Sequence, residues 1–439
     1  MSDKVIRVGG SHIGDKTSLI NLTEYLSANK NGRNFVVLSA VPQLINILEV
    51  HLSTVLDKRI ENADIKEQLI EVYKNYLDCD ITPEYLELAD QTANLLRGIA
   101  LIGDYSTALK DQVLTYAERL SVELLKARWQ KAKVLLPEDF RLMATGDFGN
   151  ATLIGIDHST INDLAVGTYI VPGTYGITEA GKISRSGRLA ADYSAAFLTR
   201  ELGAEKLELW DLDHDFLRAD PAIISDLPKL QRLTYEEASE LAYFDHYSFH
   251  PRTVEPLEHE HIPIVILNSE SGAGTIETTI NTETFVEEQI VKSVACTDDI
   301  SLLKLDGPGV GLKPGILARV TNQLNEAGLN IKSVITSQTS INFILSKENG
   351  DKAIKLIHDL VFSSVTDISV IKDISLIGVV GHGMQHAYGV SAKIFTAVAN
   401  NKINVVLSGS GASDLVSYLI VSKSDKEKSV REIYKAFFK

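Results

Sequence analysis

The chain has little cysteine, little tryptophan and fewer basic than acidic side chains. Its two cysteines among 439 residues, Cys79 and Cys296, lie far apart and without metal-ligand spacing. That excludes a disulfide scaffold and reads as reduced, buried thiols in a cytosolic protein. No run of eighteen apolar residues occurs, and the start MSDKVIRVGG holds no apolar signal core. No membrane span or secretory leader is expected, and the cytoplasm is the expected location. Lys and Arg number 43 against 58 Asp and Glu, a net charge of −15. This argues against nucleic acid or an anionic membrane as partner.

What is present is an ordinary globular composition, 44% hydrophobic and 23% charged, which excludes a disordered chain. The length exceeds one ordinary core, so two or three domains are expected. KVIRV reads as a first strand and runs at once into Gly9-Gly10-Ser11, the way open α/β sheets begin a ligand-binding loop. NFVVLSAV (34 to 41) is a second strand, ending near Ser39. From Ile65 to Gln130 the period is helical. In LKDQVLTYAERLSVELLKARW, residues Leu109, Val113, Leu114, Ala117, Leu120, Leu124 and Leu125 form one apolar face with Glu118 at its margin. Short β runs then alternate with helices at 190 to 202 and 235 to 243, which predicts a three-layer αβα sandwich with a mainly parallel sheet.

After the Ser/Gly-rich NSESGAGT (268 to 275) the texture changes and the chain repeats itself. Residues 300 to 331 match 374 to 405, so that Gly307, Gly309 and Gly315 answer to Gly381, Gly383 and Gly389 at an offset of 74. Each copy reads strand, glycine turn, amphipathic helix, strand. A pair of α+β modules with side-by-side sheets is expected, with ligands at their seam.

The order and spacing of TYAERLSVELL (115 to 125), DFGNA (147 to 151), ADYSAAFLTREL (191 to 202), ADP (219 to 221), LTYEEASELAYF (233 to 244), HPRTVEP (250 to 256) and the two repeats resemble the aspartokinase family over essentially the full length. The resemblance implies an amino-acid kinase domain at 1 to 275 and two ACT (ferredoxin-like) domains at 290 to 365 and 366 to 439, an exchange of strands between the last two being left open. It implies phosphorylation of the side-chain carboxylate of L-aspartate by ATP with Mg²⁺, an amino-acid effector such as lysine or threonine, and a homodimer formed through the ACT domains.

Residue by residue, the family's Lys-Phe-Gly-Gly-Thr appears here as Arg7-Val8-Gly9-Gly10-Ser11. Arg7 thus takes the place of a lysine that bridges the transferred phosphoryl group, while Gly9, Gly10 and Ser11 take the phosphate-side turn. A guanidinium is a planar fork and no simple substitute for an ammonium; Arg7 also reads as a surface residue beside a glycine turn. Ser39 and Glu118 match residues that contact aspartate, Glu118 orienting its amino group. A carboxylate at the edge of an apolar face equally suits a solvated charge. Gly187-Arg188-Leu189-Ala190-Ala191-Asp192 stands for Gly-Arg-Gly-Gly-Ser-Asp, giving Arg188 as substrate-carboxylate clamp and Asp192 as the catalytic-site acid, or as a helix cap. Leu189 and Ala190 carry Cβ atoms where phosphate oxygens would approach.

The nucleotide side departs further. Asp211 stands in a Trp-Asp-Leu-Asp-His-Asp run that replaces Trp-Thr-Asp-Val-Asp-Gly, and Tyr247 replaces a phosphate-contacting lysine. The DLDHD run could ligate a metal, but short acidic runs are more often solvated turns, and no metal site is expected. Each lost charge-assisted contact is worth about 1.5 to 3 kcal/mol, against about 8 kcal/mol for micromolar binding. In the repeats, Gly307, Gly309, Gly315, Ser337 and Gln338 resemble the effector turn, or serve only a dimer interface. The expectation is an aspartate kinase of weak activity. The alternatives are an inactive pseudokinase that binds an amino acid and regulates a partner kinase, or a kinase of altered nucleotide or acceptor.

Overall fold

The computed structural model describes residues 3–56, 65–187, 189–210, 216–244, 249–268, 274–286, 290–360, 362–410 and 413–439. The chain divides into two compact units, one of residues 1–215, 231–239 and 248–283, the other of 216–230, 240–247 and 284–439.

The first unit is built on an eight-stranded sheet. Its order is Arg232–Thr234, Ile276–Asn281, Ile264–Leu267, Leu207–Trp210, Lys4–Val8, Arg33–Leu38, Gly167–Pro172, Lys133–Val134. Every pairing is parallel except that between Ile264–Leu267 and Ile276–Asn281. Side chains alternate across a strand. Ile6, Val8, Val36 and Leu38 therefore enter one core, with the helices Lys16–Ser27, Pro42–Leu56, Ile65–Tyr76, Pro83–Ile102 and Thr107–Arg128. Arg7, between Ile6 and Val8, faces the other side, where the helix Ala190–Glu201 packs. This is the three-layer arrangement. A smaller sheet, Thr152–Gly155, Met143–Thr145, Tyr175–Ile177, Ile183–Arg185, brings the stretch before Gly187 close to the main sheet's carboxyl ends.

The second unit holds two four-stranded antiparallel sheets, ordered Ser293–Thr297, Ile374–Val380, Val416–Ser422, Val405–Ser410 and Ile331–Thr336, Ser340–Leu345, Ser301–Asp306, Asp367–Ile371. The offset of 74 carries into the elements, since the helix Ile316–Glu326 answers to Val390–Asn400 and the strand Ile331–Thr336 to Val405–Ser410. Ser293–Thr297 precedes the first repeat in sequence yet pairs in the second repeat's sheet, and Asp367–Ile371 closes the edge of the first. The segment 216–230 joins this unit through a bridge from Ala219 to Val294 and a bond from the Ser293 hydroxyl to the Leu217 carbonyl.

One expectation is corrected. Cys296 is buried, and burial pushes its thiol up to about 12, but Cys79 is exposed. It follows the end of the helix Ile65–Tyr76, where the Tyr73 hydroxyl at 3.6 Å is its neighbour and no apolar face covers it. Among the described residues no helix is long and apolar enough to cross a membrane.

Candidate active site

A cleft of about 590 Å³ opens at the carboxyl ends of the central strands, where open α/β sheets hold ligands. Arg7, Gly9, Gly10 and Ser11 supply one wall from the first strand and its turn. Ser39, Ala40 and Pro42 follow the second strand. Thr107, Lys110, Asp111, Leu114 and Glu118 come from one side of the helix Thr107–Arg128. Ile45 and Glu49 of the helix Pro42–Leu56 and Gly149, Thr174, Arg185, Gly187 and Leu189 complete the lining.

The turn is tied down locally. The Ser39 amide donates to the Val8 carbonyl at 3.2 Å, and its hydroxyl accepts from the Gly10 amide at 3.1 Å. A Cβ on Gly10 would stand 2.3 Å from the Ala40 carbonyl oxygen, so only glycine fits there. The Ser121 hydroxyl, one turn past Glu118, accepts from the Val41 amide at 2.8 Å. Helix and turn are thereby held in register.

Arg7 is 3% exposed, and its Nε lies 2.7 Å from Oδ1 of Asp192, which is fully buried on the first turn of the helix Ala190–Glu201. Oδ2 of Asp192 accepts from the His250 amide at 3.2 Å, which binds the HPRTVEP stretch to the same carboxylate. Burial lowers the His250 imidazole pKa. Arg7, expected as a phosphoryl clamp or a surface cation, and Asp192, expected as the catalytic-site acid or a helix cap, form one buried ion pair.

Glu118 is also fully buried and is not a solvated charge. Its Oε2 accepts from the Thr174 amide at 3.0 Å. Oε1 accepts from the Thr174 hydroxyl and from Nη2 of Arg185 at 3.3 Å. Burial pushes the Glu118 carboxyl up to about 7, although Arg185 and the Thr174 amide pull the other way. Asp111, seven residues earlier and so on the same face of the helix, accepts from the amides of Gly149 at 2.7 Å and Arg185 at 2.9 Å. Burial raises its pKa too, and those two amides and the nearby Arg185 and Lys110 charges resist the rise. One carboxylate thus fastens both the DFGNA loop and the stretch carrying Arg185.

Of the residues singled out from the sequence, the structure brings Arg7, Gly9, Gly10, Ser11, Ser39 and Glu118 to one cleft, with Asp192 behind Arg7. Arg188, Asp211 and Tyr247, and the DLDHD run, lie outside the described residues. Among the described residues no group of three or more His, Cys, Asp or Glu could hold a metal ion. Leu189 lines the cleft, 37% exposed and in the left-handed region at φ 59°. Ala190 and Ala191 are buried and lie outside the lining, Ala191 against Gly173. Sequence reasoning missed Arg185, Thr174, Asp111 and Lys110. Asp111 had a signal, its two-turn spacing from Glu118.

In the second unit the turn carrying Gly307 and Gly309 bonds to the turn carrying Ser337 and Gln338. The Gly307 amide donates to the Thr339 carbonyl at 3.0 Å and the Gly311 amide to the Gln338 carbonyl at 3.1 Å. The Ser337 amide donates to the Ser340 carbonyl at 2.8 Å. Gly309 and Gly315 have φ of 75° and 92°, and Gly315 caps the helix that follows. The second repeat holds a cleft of about 350 Å³ at the matching turn, lined by Met384, Gln385, Ser391 and Ser417 among others.

Comparison with known proteins agrees with this geometry. Residues 4–268 match the model of the amino acid kinase family, and residues 295–359 and 377–437 each match an ACT domain model. A bifunctional aspartokinase/homoserine dehydrogenase of Haemophilus influenzae is 30% identical over 79% of this chain and 44% of its own length. One from Buchnera aphidicola is 24% identical over 99% of this chain and 56% of its own length. The chain spans about half of these relatives. Its fold matches the crystal structure of E. coli aspartokinase III in complex with aspartate and ADP, with a TM-score of 0.80, 23% identity and full coverage of both chains.

Proposed function

We propose, on the premise that this chain belongs to the amino acid kinase family, that it is an aspartate kinase of weakened nucleotide binding, phosphorylating the side-chain carboxylate of L-aspartate. The observation that carries this reading is the buried ion pair of Arg7 with Asp192, Arg7 lining the same cleft as Glu118. A cation fixed by a buried carboxylate is set in one orientation, and phosphoryl transfer asks chiefly for fixed positive charge.

Arg7 and Lys110 line the cleft beside the Gly9–Gly10–Ser11 turn and offer cations to a phosphate chain, while Glu49, Asp111 and Glu118 bring carboxylates to the same lining. When bound, Mg-ATP supplies the phosphoryl group. Arg7 holds the charge of that group and Asp192 holds Arg7. Glu118 takes the substrate ammonium, Ser39 adds a hydroxyl contact, and Arg188 clamps a carboxylate. Asp211 and Tyr247 belong to the nucleotide side. The ACT modules take an amino-acid effector, lysine or threonine, around Gly307, Gly309, Gly315, Ser337 and Gln338, in a homodimer.

Leu189 favours a second reading, a pseudokinase that keeps the amino-acid pocket and regulates a partner kinase. An apolar side chain on a left-handed residue stands in the lining where the family carries glycine. Calorimetry with L-aspartate and with Mg-ATP, together with aspartyl hydroxamate formation, separates the two. Heat from both ligands with product supports the kinase. Aspartate heat alone, without product, leaves the pseudokinase. No aspartate heat at all refutes both.

A further inference from the structure

Glu118 has no exposed surface, so a ligand ammonium reaches it only when a covering group moves. Two groups donate to it, Thr174 and Arg185. Thr174 is bound twice, through amide and hydroxyl, and its amide belongs to the backbone. Arg185 reaches Glu118 through a single bond at 3.3 Å, longer than that of the Thr174 amide at 3.0 Å, and its Nε donates besides to the Thr174 hydroxyl oxygen at 3.2 Å, so both bonds open when the guanidinium leaves. Arg185 also lines the cleft, and its side chain is 12% exposed. Its own amide is fastened to Asp111 at 2.9 Å, so the guanidinium can turn away while its backbone stays.

Removing a cation from a buried carboxylate is costly unless another cation takes its place. An α-amino acid brings one, and on the same carbon it brings a carboxylate. A guanidinium released by the ammonium is then beside that carboxylate, and a planar fork suits it. From this we infer that Arg185 is a specificity-determining residue: it covers Glu118 in the free protein and passes to the α-carboxylate of the ligand when the ammonium takes its place on Glu118. The exchange conserves charge at both carboxylates. It favours ligands that carry ammonium and carboxylate on one carbon over simple dicarboxylates, which cannot release Arg185, and over amines with no carboxylate to receive it.

The inference rests on the amino-acid reading of the cleft, and the test separates the two. L-aspartate and L-aspartate 1-amide, whose α-carboxylate is neutral, are titrated calorimetrically into the full chain and its Arg185→Gln variant. Both ligands carry the ammonium, so any general effect on Glu118 cancels in the ratio of their affinities. The wild type is expected to favour aspartate by roughly 10- to 100-fold, and Arg185→Gln to bring that ratio near one. Arg185→Lys, which keeps a charge but loses the fork, should fall between and guards against a folding defect in the glutamine variant. A ratio near one in the wild type, or a ratio unchanged in both variants, overturns the inference alone. No aspartate binding to the wild type overturns the amino-acid reading and the inference with it.

Discussion

Replacing Glu118 by Gln should change how stability depends on pH more than stability itself. Burial raises the Glu118 carboxyl from an ordinary 4.5 to about 7 in the folded protein. Below pH 4.5 it is protonated in folded and unfolded chains alike and contributes no pH dependence. Between 4.5 and 7 the unfolded chain gives up the proton while the folded one keeps it, so stability falls as pH rises. Above 7 both are ionised and the penalty is constant. At about 1.4 kcal/mol per pH unit, the rise from 4.5 to about 7 amounts to about 3 kcal/mol. Glutamine fills the same volume and can accept from Thr174, but it does not titrate. Denaturant unfolding of wild type and Glu118→Gln from pH 4.5 to 8, followed by a probe in the kinase unit, gives two curves whose difference isolates this carboxyl. Wild type should lose about 3 kcal/mol relative to the variant across that range. Parallel curves would mean that Glu118 is ionised throughout, and the account of a desolvated carboxylate held by Thr174 and Arg185 would fail.

Further outcomes follow from the same geometry. Aspartate affinity, read by calorimetry, should weaken about tenfold per pH unit below about 7, because only ionised Glu118 accepts an ammonium. Leu189→Gly should relieve the left-handed backbone at φ 59°, raising the melting point by an amount worth up to about 1 kcal/mol and tightening Mg-ATP binding; loss of stability would count against strain there. Gly10→Ala should cost about 3 kcal/mol or more and abolish aspartate binding, since the added carbon meets backbone at 2.3 Å. Gly307→Ala, whose Cβ would stand 1.9 Å from the Ser364 carbonyl oxygen, should blunt an amino-acid effect on the enzyme while leaving aspartate affinity in the cleft unchanged.

Much of the fold was legible because local periodicity and the large-scale pattern agree. KVIRV and NFVVLSAV read as strands and lie as parallel neighbours in the main sheet, and the glycine spacing of the repeats survives as a constant offset between their helices. The site was only half legible. Glu118 looked marginal because a helix packed on a strand layer and on neighbouring helices buries more of its circumference than an apolar stripe suggests, and the polar side chain inside is found by its partners alone. Arg7 and Asp192 are 185 positions apart, and no period joins them. Arg185 lay inside KISRSG, yet its role comes from Asp111 and Glu118, which a different element carries. The allegiance of 216–230 to the second unit rests on bonds from Ser293 and Val294 to its backbone and on Ala219 and Ile223 entering that unit's core, long-range contacts that composition does not announce.

The pairing of Ser293–Thr297 with Ile374–Val380 makes the two ACT modules a nested structure. One module, from Ser301 to Ile371, is enclosed as a parenthesis between two neighbouring strands of the other, and its own ends meet where Leu302 pairs with Ile371. Deleting 299–372 and joining the ends by a short linker should therefore leave the outer module whole. Cutting the chain at the midpoint of the repeat would rob the outer module of an edge strand.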